Sequence, residues 1–125
     1  MQQTTDTILM IRPVNFRMNE ETAVNNYFQE DLKFKNAEIN TKAQAEFDTF
    51  VEKLRAVGIN VIVENDDEHL DTPDSIFPNN WVSFHNNGDI AKYPMFAENR
   101  RRERRDEVFI RLEEEGFKIE NIIDY

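Results

Sequence analysis

Between Thr72 and His85 the chain reads Thr-Pro-Asp-Ser-Ile-Phe-Pro-Asn-Asn-Trp-Val-Ser-Phe-His, which groups one acid, two adjacent amides, two prolines and an indole beside an apolar run. Polar side chains at the mouth of a strand make a rigid ligand-binding edge with exposed tips. Asp74 brings acceptors alone, whereas Asn79 and Asn80 bring donors and acceptors together. Further on, Arg100, Arg101, Arg102, Arg104 and Arg105 fall within six residues, interrupted by Glu103. A guanidinium grips a carboxylate through two parallel hydrogen bonds, and the first turn of a helix adds partial positive charge for an anion. Plainer roles exist for each group. Asp74, following Pro73, can cap a turn. The Asn pair can decorate a polar strand edge, and the arginines can form solvated ion pairs with Glu107, Glu113, Glu114 and Glu115.

Composition narrows the chemistry. The 125 residues include no cysteine, which removes disulfides, thiolate metal sites and thiol catalysis from this chain. His69 and His85 have no second His or Cys at ligand spacing, so neither a metal nor a cofactor is expected. The formal net charge of −10 disfavours nucleic acid and anionic membrane as partners. The arginine run carries no interleaved aromatics, which also argues against nucleic acid. No run of 18 apolar residues is present to span a bilayer. The first residues lack the basic-then-apolar order of a secretory signal, so the expected location is cytoplasmic. Ten Phe and one Trp suit a modest core, in one small domain or a piece of a larger one.

The elements that must position these side chains read as α/β. Thr7–Arg12 is an apolar strand closed by Pro13. Residues 14–40 read as a long ordered loop with one short helix near 20–28. Thr41 and Gln44 match a capping box. Ala43, Phe47, Phe50, Val51, Leu54 and Val57 follow at helical spacing, and Gly58 sits at the C-terminal cap. Ile59–Val63 is a β-branched strand, and Glu64–Asp71 an acidic loop. Ile76–His85 reads as a strand, Asn86-Asn87-Gly88 as its turn and Asp89–Tyr93 as its partner. Asn99 is placed to cap a helix over 100–115, which Gly116 ends before a last strand over Phe117–Ile123.

Leu54-Arg-Ala-Val-Gly-Ile-Asn-Val61 and Leu112-Glu-Glu-Glu-Gly-Phe-Lys-Ile119 align at a constant offset of 58 residues. Each is preceded by a paired apolar step, Phe50-Val51 and Val108-Phe109. The alignment predicts two strand–strand–helix–strand modules, residues 1–65 and 66–125, within a single partial domain. Such repeated units need neighbouring copies to bury their faces.

The stretch Thr72–His85, with Ile11–Gln29 and Tyr93–Arg105, resembles the pentein superfamily of guanidine- and ureido-modifying enzymes. Arginine deiminase, dimethylarginine hydrolase and glycine amidinotransferase belong to that superfamily. The likeness extends over nearly the whole chain and is strongest toward the citrulline-utilisation hydrolase branch. It implies a five-bladed α/β propeller, of which this chain would form the first two modules. It also implies that Asp74 binds the planar head group of a ureido or guanidino amino acid, accepting two N–H bonds. Dimethylarginine hydrolases carry Glu-Asp where this chain has Asn79-Asn80; two amides suit a neutral ureido group better than a cation. Arg100 or Arg101 stands where a relative's arginine holds the substrate carboxylate. The Arg-Pro-x-x-Phe-x-x-Asn pattern of Arg12–Thr22 would place Asn19, and with it Asn26, along the pocket or on a lid, with Phe16 in the core.

In the superfamily a Cys attacks the head-group carbon while a His protonates the departing amine and then activates water. Both are expected beyond Tyr125, and His85 does not take that role. The resulting expectation is the N-terminal part of a C–N hydrolase or amidinotransferase, supplying binding residues but inactive alone. The alternative is a catalytically empty module that oligomerises or joins a partner chain, since open strand edges favour association. A third is an unrelated small α/β binding domain.

Overall fold

The apolar run Thr7–Arg12 forms strand β1 in the computed structural model, which describes residues 4–22 and 32–125 and, within its first helix, side chains from Lys35 onward. β2, Asn60–Asn65, lies parallel to it in register from Thr7 opposite Asn60 to Arg12 opposite Asn65. A parallel pair needs a long crossover, which helix α1, Leu32–Ala56, provides. This helix begins well before Thr41, because Leu-Lys-Phe-Lys-Asn-Ala-Glu contains neither Gly nor Pro to stop it. The capping-box pair is put to other use. The Thr41 hydroxyl donates to the Ala37 carbonyl one turn back at 2.9 Å, and Gln44 Nε2 donates to the Pro13 carbonyl at 2.8 Å. Ala43, Phe47, Val51 and Leu54 turn inward, but Phe50 and Val57, also expected there, are 53% and 75% exposed. The short helix expected near 20–28 falls mostly on residues 23–31, outside those described.

The second half opens with tight turns. Ser75 N–H donates to Thr72 O and Phe77 N–H to Asp74 O, after which Pro78–Asn80 forms one 3-10 turn. The strand expected over Ile76–His85 therefore shrinks to β3, Val82–Phe84. Pro73 and Pro78 have no N–H for a ladder and favour turns, with Pro78 opening the 3-10 turn where its missing donor costs nothing. β3 pairs antiparallel with β4, Asp89–Lys92, and β5, Asn121–Asp124, joins β4 in parallel. The helix expected over 100–115 is two: α2, Glu98–Arg101, and α3, Glu107–Glu114. Asn99 lies inside α2 with its side chain buried, so it caps nothing.

The 58-residue alignment reappears in hydrogen bonds. Gly58 N–H bonds Arg55 O and Ile59 N–H bonds Leu54 O; Gly116 N–H bonds Glu113 O and Phe117 N–H bonds Leu112 O. Both glycines take φ near +90°, at +90° and +95°, the left-handed cap that a Cβ disfavours. Each helix then delivers a parallel strand, β1–α1–β2 and β4–α2–α3–β5. No counterpart of β3 precedes β1 among the described residues. The two-stranded and three-stranded sheets are separate and open, yet they meet over one core. Ile11 of β1 packs with Trp81, Val82, Ile90, Val108 and Phe109, and Leu9 lies against the same cluster. No helix among the described residues is long and apolar enough to cross a membrane.

Candidate substrate-binding site

The turn after Pro73 sets Asp74 where three distant segments converge. Thr72 and Pro73 are fully buried, and the Thr72 hydroxyl lies 2.8 Å and 3.0 Å from the two carboxylate oxygens of buried Asp66, anchoring the turn from below. Asp74 Oδ2 accepts from Asn19 Nδ2 at 2.8 Å. Arg100 approaches from α2: its Nη2 donates to the Asp74 carbonyl at 3.5 Å, and its Nε lies 3.9 Å from Asp74 Oδ2. The shorter bonds of Arg100 go to Glu103, Nε to Oε2 at 2.8 Å and Nη2 to Oε1 at 3.1 Å. Arg100 Nη1 donates to Asn80 Oδ1 at 3.0 Å.

This fork of bonds fixes one orientation. A guanidinium has only donors, so the Asn80 oxygen must face Arg100, and its NH₂ group faces away. Among the described residues no side chain bonds Asp74 Oδ1. Among the described residues, the groups left without a side-chain partner are thus one acceptor, Asp74 Oδ1, and one pair of donors, Nδ2 of exposed Asn80.

Asp74, Asn80 and Arg100 come together; Asn79 and Arg101 do not join them. Asn79 is exposed and lines an open cleft of about 900 Å³, bounded by β1 and the β3–β4 turn, that includes none of the other three. A 3-10 turn has three residues per turn, so adjacent side chains diverge by roughly 120° and cannot share a ligand easily. Arg101 is exposed and donates to the carbonyls of Met95 and Phe96 at 3.0 and 2.8 Å. Sequence reasoning missed Asn99 and Glu103. Asn99 is paired with Asn19, and Glu103, 4% exposed, carries the carboxylate that holds Arg100. Its charge under a cationic neighbour was the available signal, three residues after Arg100. Burial pushes the Glu103 carboxyl above its ordinary range, while hydrogen bonding to Glu103 raises Arg100.

The profile of the family described as N,N dimethylarginine dimethylhydrolase, eukaryotic, matches residues 12–125. The chain belongs to that family. No curated protein matches it, and no solved structure does. This dimethylarginine hydrolase family belongs to the pentein superfamily, acts on guanidino groups and hydrolyses C–N bonds.

The remaining arginines of this family member work as staples. Arg102 donates to the carbonyls of Leu70 and Asp71, Arg105 to Asn65 O and Glu64, and Arg104 pairs with Asp124 of β5. Between α2 and α3 the backbone itself leaves the α-helical pattern, with Glu103 N–H on Arg100 O, Arg104 N–H on Arg101 O and Arg105 N–H on Glu103 O. Arg17 performs the same service for the segment that carries Asn19, bonding Glu20 at 2.7 Å and Asp71 at 2.6 Å. Hydrogen bonds from Arg17 hold both carboxyls below their ordinary values of 4.5 and 3.8.

Carboxyls lowered on folding stabilise the fold above their unfolded values, and that share is lost as pH falls through the folded ones. Glu103, raised on folding, has the opposite slope: its cost grows as pH rises above 4.5. Arg17→Gln should therefore cost stability at pH 7 and little at pH 2, with Glu103 common to both proteins. Urea midpoints of the two proteins at both pH values test this. An equal difference at both would mean that the two ion pairs contribute no stability.

Proposed function

We propose that this chain supplies the head-group wall of a C–N hydrolase site and that the wall is built for a ureido amino acid such as citrulline. The carrying observation is that Arg100 ties Asp74 and Asn80 together while Asp74 Oδ1 has no side-chain partner among the described residues and the Asn80 NH₂ group is turned away from Arg100. A ureido group presents an N–H and a C=O side by side and complements that pair. A guanidinium presents only donors and would leave Asn80 facing N–H with N–H. Family membership favours a second reading, in which the ligand is a methylated arginine.

Arg100 spends most of its donors within the protein, so its part here is to orient Asn80. Arg101, whose Nη1 lies outside its two carbonyl bonds, is the better candidate for the α-carboxylate after a side-chain turn. Asn79 serves the neighbouring cleft. With no cysteine among these residues, none supplies a thiol nucleophile, and a Cys–His pair for hydrolysis or amidino transfer has to come from outside them. The two halves, 1–65 and 66–125, fit as successive modules of a pentein propeller, supported by the repeated helix caps.

Calorimetric titration of the protein, as its gene encodes it, with L-citrulline and N,N-dimethylarginine tests the reading. Citrulline should bind about tenfold tighter, the order expected of one mismatched hydrogen bond. Asn80→Asp, which replaces donors with acceptors, should reverse the order. Tighter binding of dimethylarginine by the unaltered protein would sink the ureido assignment, and binding of neither would sink the site.

A further inference from the structure

Asn19 and Asn99 lie 80 residues apart in sequence and face each other with their amides inverted. Asn99 Nδ2 donates to Asn19 Oδ1 at 2.7 Å, and Asn19 Nδ2 donates to Asn99 Oδ1 at 3.0 Å. Reciprocal pairing fixes the two amides relative to each other, and the Glu21 N–H on Asn19 Oδ1 and the carboxylate beside Asn19 Nδ2 fix which end of each is oxygen. With one N–H of Asn19 given to Asn99, the other points at Asp74 Oδ2, 2.8 Å away. Asn19 Oδ1 also accepts from the Glu21 backbone N–H at 3.0 Å, and Glu21 Oε1 accepts from the Asn99 backbone N–H at 3.1 Å. Asn19 is 5% exposed and Asn99 2%, so both donors and both acceptor sites of Asn19 are filled inside the protein.

We propose that Asn19, locked by Asn99, is the positioning residue for Asp74. It occupies Oδ2, stops the carboxylate from rotating, and leaves Oδ1 as the one acceptor turned toward ligand. A single oriented acceptor discriminates between head groups, whereas a freely rotating carboxylate offers either oxygen to any donor. The same device couples the 19–21 segment to α2, so ligand contact at Asp74 is felt at both. This role rests on the reading of Asp74 as a ligand contact.

A double-mutant cycle separates positioning from general support. In the gene-encoded protein, Asn19→Ala should weaken binding of the preferred probe, L-citrulline or N,N-dimethylarginine, about tenfold, and less than about twofold in an Asp74→Asn background. A residue that merely supports the fold would cost the same in both backgrounds, and that result overturns the proposal. An Asp74→Asn variant that binds as the unaltered protein does would remove Asp74 from the site, and the proposal with it. Should Asn19→Ala fail to fold, the unaltered protein still decides. Its Asn19 side-chain amide signal should shift with ligand saturation by NMR, and a signal unmoved at saturation overturns the assignment.

Discussion

Asp74→Ala is expected to weaken binding of the ureido or guanidino ligand by roughly ten- to a hundredfold, with the fold retained at reduced stability. A hydrogen bond to a charged group contributes about 1.5–3 kcal/mol, which corresponds to that range. The fold should survive because the turn is held by main-chain groups that the substitution keeps. Phe77 N–H still reaches the residue 74 carbonyl, and Thr72 still bonds Asp66. Arg100 keeps its strongest partner, Glu103, so no charge is stranded. What is lost inside the protein is the partner of one buried Asn19 N–H, the other N–H keeping Asn99, which should cost about 1–3 kcal/mol of stability. Calorimetric affinity and a thermal melt together read the result. A variant that folds and binds ligand as before would take Asp74 out of the site and leave the family resemblance without its principal contact.

Local signals carried far in this sequence where they were backed by short-range physics. β1 and β2 were legible as apolar, β-branched runs, and Gly58 and Gly116 as left-handed caps, because the atoms that decide them lie within a few residues. The turn at Asn86–Gly88 was legible for the same reason. Errors arose where a local signature met a stronger distant partner. Thr41 and Gln44 resemble a helix start, but a continuing helix uses the hydroxyl for back-bonding and the amide for Pro13. Ile76–Val82 has strand composition, yet Pro73 and Pro78 curl the chain into successive turns. Asn99 has the residue type of an N-cap and the neighbours of one. Its side chain instead goes to Asn19, which no helical period encodes.

The residues proposed for the site were legible in kind, and their grouping in space was less so. Asp74, Asn80 and Arg100 were named and do meet, because a carboxylate, an amide and an arginine near turns are informative by type alone. Asn79 and Arg101 were named beside them, since adjacency in sequence cannot say which of two neighbours faces a ligand. The 3-10 turn points the first pair apart, and in the second Arg100 bonds Asn80 and Glu103 while Arg101 bonds the carbonyls of Met95 and Phe96. Glu103 was read as an interruption in a basic run. Its burial makes it the residue that fixes Arg100, and so the orientation of Asn80.

Trp81→Ala should be the most damaging single change to the fold, costing about 3–5 kcal/mol, the range for emptying a large buried aromatic site. Domains of this kind hold only about 5–15 kcal/mol in total, so the loss consumes a large share of it. Trp81 is 1% exposed, and its ring lies 5.9 Å from that of Phe109, tilted 47°. Around it stand Ile11 from the two-stranded sheet, Val82 and Ile90 from the three-stranded one, and Val108 from α3. One side chain thus joins both sheets and the helix that follows the arginine staples. Its backbone closes the 3-10 turn through Pro78 O and receives Tyr93 N–H, so the same residue sets the floor beneath Asn80. Trp81→Phe, which keeps an aromatic body, should cost less than half as much. Phe50→Ala on α1, where the ring is 53% exposed, should stay within about 0.5 kcal/mol. Urea unfolding of the three variants gives the comparison. A Trp81→Ala cost no larger than that of Phe50→Ala would mean that polar ties such as Arg105–Glu64 and Thr72–Asp66, not the shared core, hold the binding platform in place.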